Sequence, residues 1–124
     1  MRRALLLPLA LAACADRPGD RDPLAGRVAG EPVDCITLSQ QTAPQVVDAN
    51  TILYRGSARR IYRTGPVGAC PGLNAQGPHT LIIDVYGGQI CRNDRFRVLT
   101  PGQTIPSAFC RFDRFTPYDR PPGG

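Results

Sequence analysis

Apolar and polar residues alternate with a period of two along most of the chain beyond residue 34. The clearest example is residues 80–86, where three aliphatic side chains share one side of an extended segment and Asp84 lies on the other. A period of two is typical of β-strands that bury one face. A glycine pair at 87 and 88 follows directly. Because glycine adopts positive φ angles without steric cost, the pattern predicts a tight hairpin turn into residues 89–91.

The same pattern predicts six or seven strands in all. They cover residues 35–38, 45–48, 51–55, 59–63, 80–86, 95–99 and 108–112. Asp, Asn, Gly and Ser residues separate the second, third and fourth of these strands, which predicts an antiparallel meander. Thirteen glycines and thirteen prolines argue against long helices. The sequence therefore predicts an all-β fold of about six strands, either a small antiparallel barrel or a sandwich, and we expect the barrel.

The first fourteen residues have the features of an export leader. Two arginines precede a run of ten apolar residues, 4–13, which is too short to span a bilayer. The leader ends in LAAC, and this end resembles the lipobox of bacterial lipoprotein signal peptides. The resemblance implies cleavage before Cys14 and acyl chains, such as palmitate, on that residue. The alternatives are an ordinary secretory leader cut near Ala13 and, less favoured, an uncleaved membrane helix.

The lipobox resemblance also implies a destination and a domain organisation. Ala15 follows the lipidated position, whereas Asp there is the usual inner-membrane retention signal in enteric-type bacteria. We therefore expect the periplasmic face of the outer membrane, with the protein held by its lipid. Residues 14–33 are polar and contain three prolines, so we expect the lipidated cysteine and a flexible linker there. Residues 34–117 then form the β domain, and residues 118–124 a disordered tail.

Four cysteines remain after Cys14. In a small exported domain an even number of cysteines predicts disulfides, here two, and three pairings are possible. We expect Cys70 with Cys91 inside Cys35 with Cys110, which would close the central hairpin region and join the first strand to the last. A metal site is the alternative, but no two cysteines are spaced as C-x-x-C and only one histidine could assist.

Arginines supply all of the positive charge. There are fifteen arginines and no lysine, and the net charge of +5 names no partner by itself. One group lies on the predicted hairpin of residues 51–63, beside two tyrosines, and a second lies in residues 92–97. If both groups share one face, they predict a surface for an anionic envelope component or an acidic protein partner. Their members are Arg55, Arg59, Arg60, Arg63, Arg92, Arg95 and Arg97.

Short segments beyond the linker carry a second resemblance. They are CITL from Cys35, VVDANTILY from Val46, IYR from Ile61, CPGL from Cys70, GQIC from Gly88 with Asp94, and Cys110 followed by FTP from Phe115. Together they resemble a family of small exported proteobacterial proteins classed as a domain of unknown function. The resemblance covers most of the chain after the linker and implies a shared disulfide framework, without an activity. The recurring Asp48 and Asp94 we interpret as turn residues that cap backbone amides rather than as catalytic carboxylates.

No arrangement of residues in the sequence identifies a reaction, a metal or a cofactor. His79 is the only histidine, we expect it in an exposed loop, and no serine has a nucleophile-elbow context. Asp84 could pair with an arginine across the sheet as easily as it could abstract a proton. We therefore expect a non-catalytic binding or structural module of the envelope, where nucleic acid is excluded by compartment. The alternatives are a small inhibitor of an envelope-attacking enzyme and, less favoured, a hydrolytic enzyme.

Overall fold

The computed structural model describes residues 22–39 and 43–122, and these form ten short strands and no helix. The strands are β1 (Val28–Ala29), β2 (Cys35–Thr37), β3 (Pro44–Asp48), β4 (Thr51–Arg55), β5 (Arg60–Thr64), β6 (Thr80–Ile83), β7 (Gln89–Cys91), β8 (Arg95–Leu99), β9 (Cys110–Arg111) and β10 (Thr116–Asp119). The predicted all-β fold is confirmed. Over the described ranges, no helix has the length and apolarity needed to cross a membrane. The expected signal peptide, residues 1–13, and the expected lipidation site Cys14 lie outside the described residues.

The strands form three antiparallel sheets. Five strands in the order β1-β10-β5-β4-β3 make the largest sheet, β6-β8-β9 make the second, and β2-β7 make the third. The predicted meander is confirmed, because β3, β4 and β5 pair in chain order. The expectation of a closed barrel is wrong. The described strands stay in separate sheets that pack around a shared core, which is a sandwich-like arrangement.

The glycine turn at residues 87 and 88 forms as predicted, but the strands on either side of it do not pair with each other. Both glycines have positive φ angles, 65° and 73°. The N–H of Gln89 donates to the carbonyl of Tyr86 at 3.4 Å across the turn. β6 then pairs with β8, and β7 pairs with β2. The chain passes from one sheet to another at this turn, and alternation could not predict this because it reports which face is buried rather than which strand is adjacent.

Aromatic rings dominate the core between the sheets. Phe96, Phe112 and Phe115 are fully buried, and Tyr54 is 1% exposed. The rings of Phe96 and Phe112 stack with their centroids 4.3 Å apart, and Tyr54 meets Phe112 edge-on at 6.2 Å. Burial raises the pKa of the Tyr54 hydroxyl. Since Tyr54 belongs to β4 and Phe96 to β8, the rings join the five-stranded sheet to the three-stranded sheet.

Two disulfides form, but the expected pairing of the cysteines is wrong. Cys35 bonds to Cys91 and Cys70 bonds to Cys110, with Cα atoms 4.0 and 5.7 Å apart. Cys35 and Cys91 lie directly opposite each other in the register of β2 and β7. The segment that leads into Cys70 runs beside β9 and donates a backbone N–H to the carbonyl of Arg111 at 2.9 Å. The two loops therefore interleave, where a nested pair was expected.

The fold extends past the expected domain boundaries at both ends. β1 lies inside the expected linker of residues 14–33 and pairs with β10. β10 continues to Asp119, inside the expected tail of residues 118–124. Both boundaries are wrong, because pairing with a neighbouring strand supplies hydrogen bonds that composition does not reveal. Residues 14–21 and 123–124 lie outside the described ranges.

Candidate functional site

The two arginine groups do not share one face. Arg55 and Arg63 occupy positions of β4 and β5 that alternate with core residues, so they lie on the outer face of the five-stranded sheet. The second and fourth residues of β8 enter the core, so Arg95 and Arg97 lie on the outer face of the three-stranded sheet. These faces are on opposite sides of the core. The two arginine groups therefore do not form the single binding surface that the sequence allowed. The first group lies around the five-stranded sheet, and Arg95 and Arg97 of the second group lie on the three-stranded sheet.

In the first group, Arg60 is held by a carboxylate. Its Nε and Nη2 donate to the two oxygens of Asp119 at 2.7 and 2.8 Å, a bidentate contact that β5 and β10 set up by placing the residues opposite each other. The Arg60 hydrogen bond lowers the pKa of Asp119. Both side chains remain partly exposed, so solvent screens the pair. Arg60 is therefore a structural residue more than a free binding group.

Replacing Arg60 with glutamine is expected to raise the pKa of Asp119 back toward the ordinary value of an aspartate, because the hydrogen bonds that lower it are lost. Because the native pKa is lowered, the pair stabilises the fold above the ordinary Asp pKa, and this contribution is lost as pH falls through the lowered value. NMR titration of the Asp119 carboxyl carbon measures the shift. Arg59→Gln is the control, since the groups that lower the pKa of Asp119 are Arg60 and Arg27. An unchanged Asp119 pKa in Arg60→Gln would contradict this account.

In the second group, two arginines flank an exposed aromatic ring. The guanidinium carbons of Arg95 and Arg97 each lie 4.6 Å from the ring centroid of Phe109. Phe109 is nevertheless 52% exposed. Cation–π contacts at exposed sites contribute about 0.5–1 kcal/mol each, which favours one ring position without hiding the ring. Together with Arg111 and Ile82, described next, we call these five residues the arginine–phenylalanine surface.

A returning loop positions Phe109. Ser107 forms two hydrogen bonds with the backbone of Val98. The N–H of Ser107 donates to the Val98 carbonyl at 2.9 Å, and the Ser107 Oγ accepts the Val98 N–H at 2.9 Å. The Ser107 carbonyl accepts from Nε of Arg97 at 3.2 Å. These bonds fix the chain beside β8 two residues before Phe109. Cys110 faces the core, so Phe109 lies on the outer side of the same sheet.

Positive charge is poorly balanced on this surface. Arg111 lies directly opposite Arg95 in the register of β8 and β9, and like charges in that position destabilise a sheet. The carboxylate of Asp84 lies 3.8 Å from Arg95, as the sequence suggested it could, but at the long end for an ion pair. Ile82, opposite Arg97 in β6, adds an apolar side chain that is 41% exposed. The surface thus combines apolar area with three guanidinium groups, and among the described residues only that of Arg95 forms an ion pair, a long one with Asp84.

Asp94 and Asp48 act as turn residues, as interpreted from the sequence. Asp94 Oδ2 accepts the backbone N–H of Cys91 at 2.7 Å, and Asp48 Oδ1 accepts that of Asn50 at 2.8 Å. Asp94 and Asp84 also border one open groove of about 210 Å³ beside Arg111. Both carboxylates there have structural partners.

Of the remaining chemical candidates, His79 and the four cysteines are also engaged. His79 lies in a loop as expected, but it is half-buried rather than exposed, with Nε2 3.0 Å from Asn74 Oδ1. That contact is made within the loop itself. The thiols of residues 35, 70, 91 and 110 form disulfides, so they cannot serve as metal ligands or nucleophiles in this state. Arg92 is exposed in the turn after β7.

Phe109 and Arg111 were not predicted as site residues. Alternation within β8 does place Arg95 and Arg97 on one face, which the sequence allowed. The contact of Phe109 with them depends on the path of a loop between β8 and β9, and the sequence carries no signal for that path. On the other side of the molecule, Nη1 of Arg27 and the backbone N–H of Arg120 both donate to the carbonyl of Arg59. Neither arginine was predicted as a site residue, because composition predicts a linker and a tail where β1 and β10 form.

No family model matches the chain, and neither the curated proteins nor the solved structures contain a match to it.

Proposed function

We propose that the protein is a lipid-anchored lipoprotein of the bacterial envelope whose domain binds acidic residues of a partner protein without catalysing a reaction. One observation carries the binding part of the proposal. Phe109, half-exposed, lies between Arg95 and Arg97, and Arg111 faces Arg95 across the sheet.

The disulfides support the anchor. Structural disulfides persist in exported proteins and are rare in the cytosol of mesophiles. Because the four other cysteines pair with one another, Cys14 is the one cysteine left without a disulfide partner in the chain. A cysteine that directly follows LAA and takes no part in the disulfides fits a lipidation site. Ala15 favours the outer membrane as the destination.

The composition of the arginine–phenylalanine surface supports binding. Aromatic and arginine side chains are enriched at the centres of protein interfaces, where they contribute most of the affinity. A carboxylate placed between Arg95 and Arg111 would form bidentate hydrogen bonds and relieve their mutual repulsion. Ile82 and the ring of Phe109 would bury apolar area at the same time. An acidic peptide segment with a neighbouring apolar residue fits these features.

Mass spectrometry tests the anchor. In the native host, the purified protein should lack residues 1–13 and carry acyl chains on residue 14. An intact leader, or an unmodified Cys14, would contradict the anchor. The four remaining cysteines should be recovered in disulfide-linked peptides.

Phe109→Ala tests the binding surface. Crosslinking in intact envelopes identifies the partner, and titration of the purified partner then measures affinity. Phe109→Ala should weaken that affinity by about tenfold or more, as truncation of a central interface residue does. Ile105→Ala is the matched control, because Ile105 is an exposed apolar residue in the preceding loop and is not part of the surface. Equal affinity of the Phe109→Ala and Ile105→Ala variants would overturn the assignment of this surface.

A further inference from the structure

The excess positive charge of the domain lies around the five-stranded sheet. Residues 22–122 contain eleven arginines and eight carboxylate side chains. Three grooves around the five-stranded sheet are bordered by six of these arginines and only three of the carboxylates. Outside these grooves arginines and carboxylates are equal in number. We call these nine charged residues the tether side: Asp22, Arg27, Asp48, Arg55, Arg59, Arg60, Arg63, Asp119 and Arg120.

The grooves adjoin one another, so the charges form one region. Arg120 borders two of them, and Asp22 borders the other adjacent pair. The carbonyl of Arg59 accepts hydrogen bonds from Nη1 of Arg27 at 2.8 Å and from the backbone N–H of Arg120 at 3.0 Å. Partial burial lowers the pKa of Arg27, and the nearby charges of Arg120 and Arg55 lower it further. These guanidinium groups are close enough to repel one another.

The three carboxylates of the tether side have local partners. Asp119 binds Arg60, Asp48 caps a turn, and Asp22 Oδ1 accepts the N–H of Leu24 at 3.0 Å. In the described ranges, no carboxylate forms an ion pair with Arg55, Arg59 or Arg120. These three guanidinium groups are therefore open to an external anion.

The chain from residue 14 enters the domain on this side. Residues 22–25 border grooves that also contain Ile61 and Tyr118, so this segment lies over the outer face of the five-stranded sheet. Leu53 and Ile61 on that face are only 3% and 5% exposed. Seven residues lie between position 14 and position 22, so eight Cα–Cα steps join the two positions. They reach at most about 29 Å when fully extended.

We propose that the tether side rests on the anionic phospholipid headgroups of the membrane that holds the lipid. The arginine–phenylalanine surface, on the opposite side of the core from Arg55 and Arg63, then faces away from the membrane toward its partner. This inference rests on the proposed lipid anchor, which keeps the domain within reach of the headgroups and raises their effective concentration. Guanidinium groups recognise phosphate through paired hydrogen bonds, and basic residues near an anionic bilayer each add to its attraction.

Vesicle binding tests the orientation without the lipid. The mature chain from Ala15 contains every described strand and both disulfides, and it can be secreted behind a leader that lacks the lipobox. Vesicles of phosphatidylethanolamine with about 30% phosphatidylglycerol, an anionic composition with appreciable surface potential, are compared with pure phosphatidylcholine vesicles. Arg55→Gln, Arg59→Gln and Arg120→Gln together remove three charges from the tether side. The matched control removes three elsewhere, with Arg92→Gln, Arg111→Gln and Arg114→Gln, and circular dichroism confirms that both variants fold.

The wild-type chain should bind the anionic vesicles at low salt and lose that binding in high salt. The tether-side variant should bind about a hundredfold more weakly, and the control should change far less. Equal losses in both variants, or equal binding to phosphatidylcholine, would overturn the docking surface. Because this chain carries no lipid, the outcome of the vesicle assay does not depend on whether mass spectrometry finds acyl chains on Cys14. An unmodified Cys14 would overturn the anchor alone, whereas an inert tether side in a lipidated protein would overturn the orientation alone.

Discussion

Replacing Phe112 with alanine is expected to destabilise the domain by about 3–5 kcal/mol, which is comparable to the whole stability of a small protein. Phe112 is fully buried and its ring touches the largest number of other rings in the core. It stacks on Phe96 at 4.3 Å and meets Tyr54 and Phe115 at 6.2 and 5.8 Å. Its loss would leave a cavity where the two larger sheets meet, and both sheets would lose apolar contact at once.

Denaturant unfolding of Phe112→Ala measures this cost. Phe109→Ala is a matched control, because the same chemical change at a half-exposed ring removes far less buried area. We expect the control to stay within about 2 kcal/mol of the wild type, since it loses two exposed cation–π contacts. A Phe112→Ala domain as stable as the Phe109→Ala domain would show that the aromatic cluster does not hold the sheets together.

The hydrophobic pattern correctly predicted β7 and β8, in which buried and more exposed residues alternate, and β4, which is buried along almost its whole length. The limits of β4, β7 and β8 agree with the predicted residues 51–55, 89–91 and 95–99. β10 was missed because Pro117 stands inside it, and proline normally argues against a strand with neighbours on both sides. Here Pro117 accepts a hydrogen bond from Gly30 through its carbonyl, which requires no N–H. The exception depends on a partner 87 positions away, and local pattern contains no information about it.

The candidate site was predictable to the same extent. The period of two correctly placed Arg95 and Arg97 side by side, because both residues lie in one strand. It could not show that Arg60 is bound to Asp119, since that contact needs the unpredicted β10. Nor could it place Phe109, which reaches the arginines through a loop. Residues within one strand are positioned by geometry that sequence encodes locally, whereas contacts between elements depend on topology.

Removal of each disulfide should lower the stability of the fold by a different amount. Their loops span 56 and 40 residues. Restriction of the unfolded chain by loops of these sizes stabilises the fold by about 4 kcal/mol in each case. Cys70 and Cys110 also lie in the core, each 7% exposed, whereas Cys35 is exposed at the protein surface. Replacing Cys70 and Cys110 with alanine therefore removes core packing as well as the restriction of the unfolded chain. We expect this change to lower the free energy of unfolding more than the loss of the Cys35–Cys91 bond does.

Guanidinium unfolding of the Cys35→Ala/Cys91→Ala and Cys70→Ala/Cys110→Ala proteins measures the difference. Because the loops interleave and share residues 70–91, either bridge already restricts part of the chain that the other closes. The cost of removing both should accordingly be less than the sum of the single costs. Equal costs would indicate that the core sulfurs add nothing to packing. Peptide mapping without reduction provides the prior check, since peptides joining Cys70 to Cys91 would contradict the pairing on which the comparison depends.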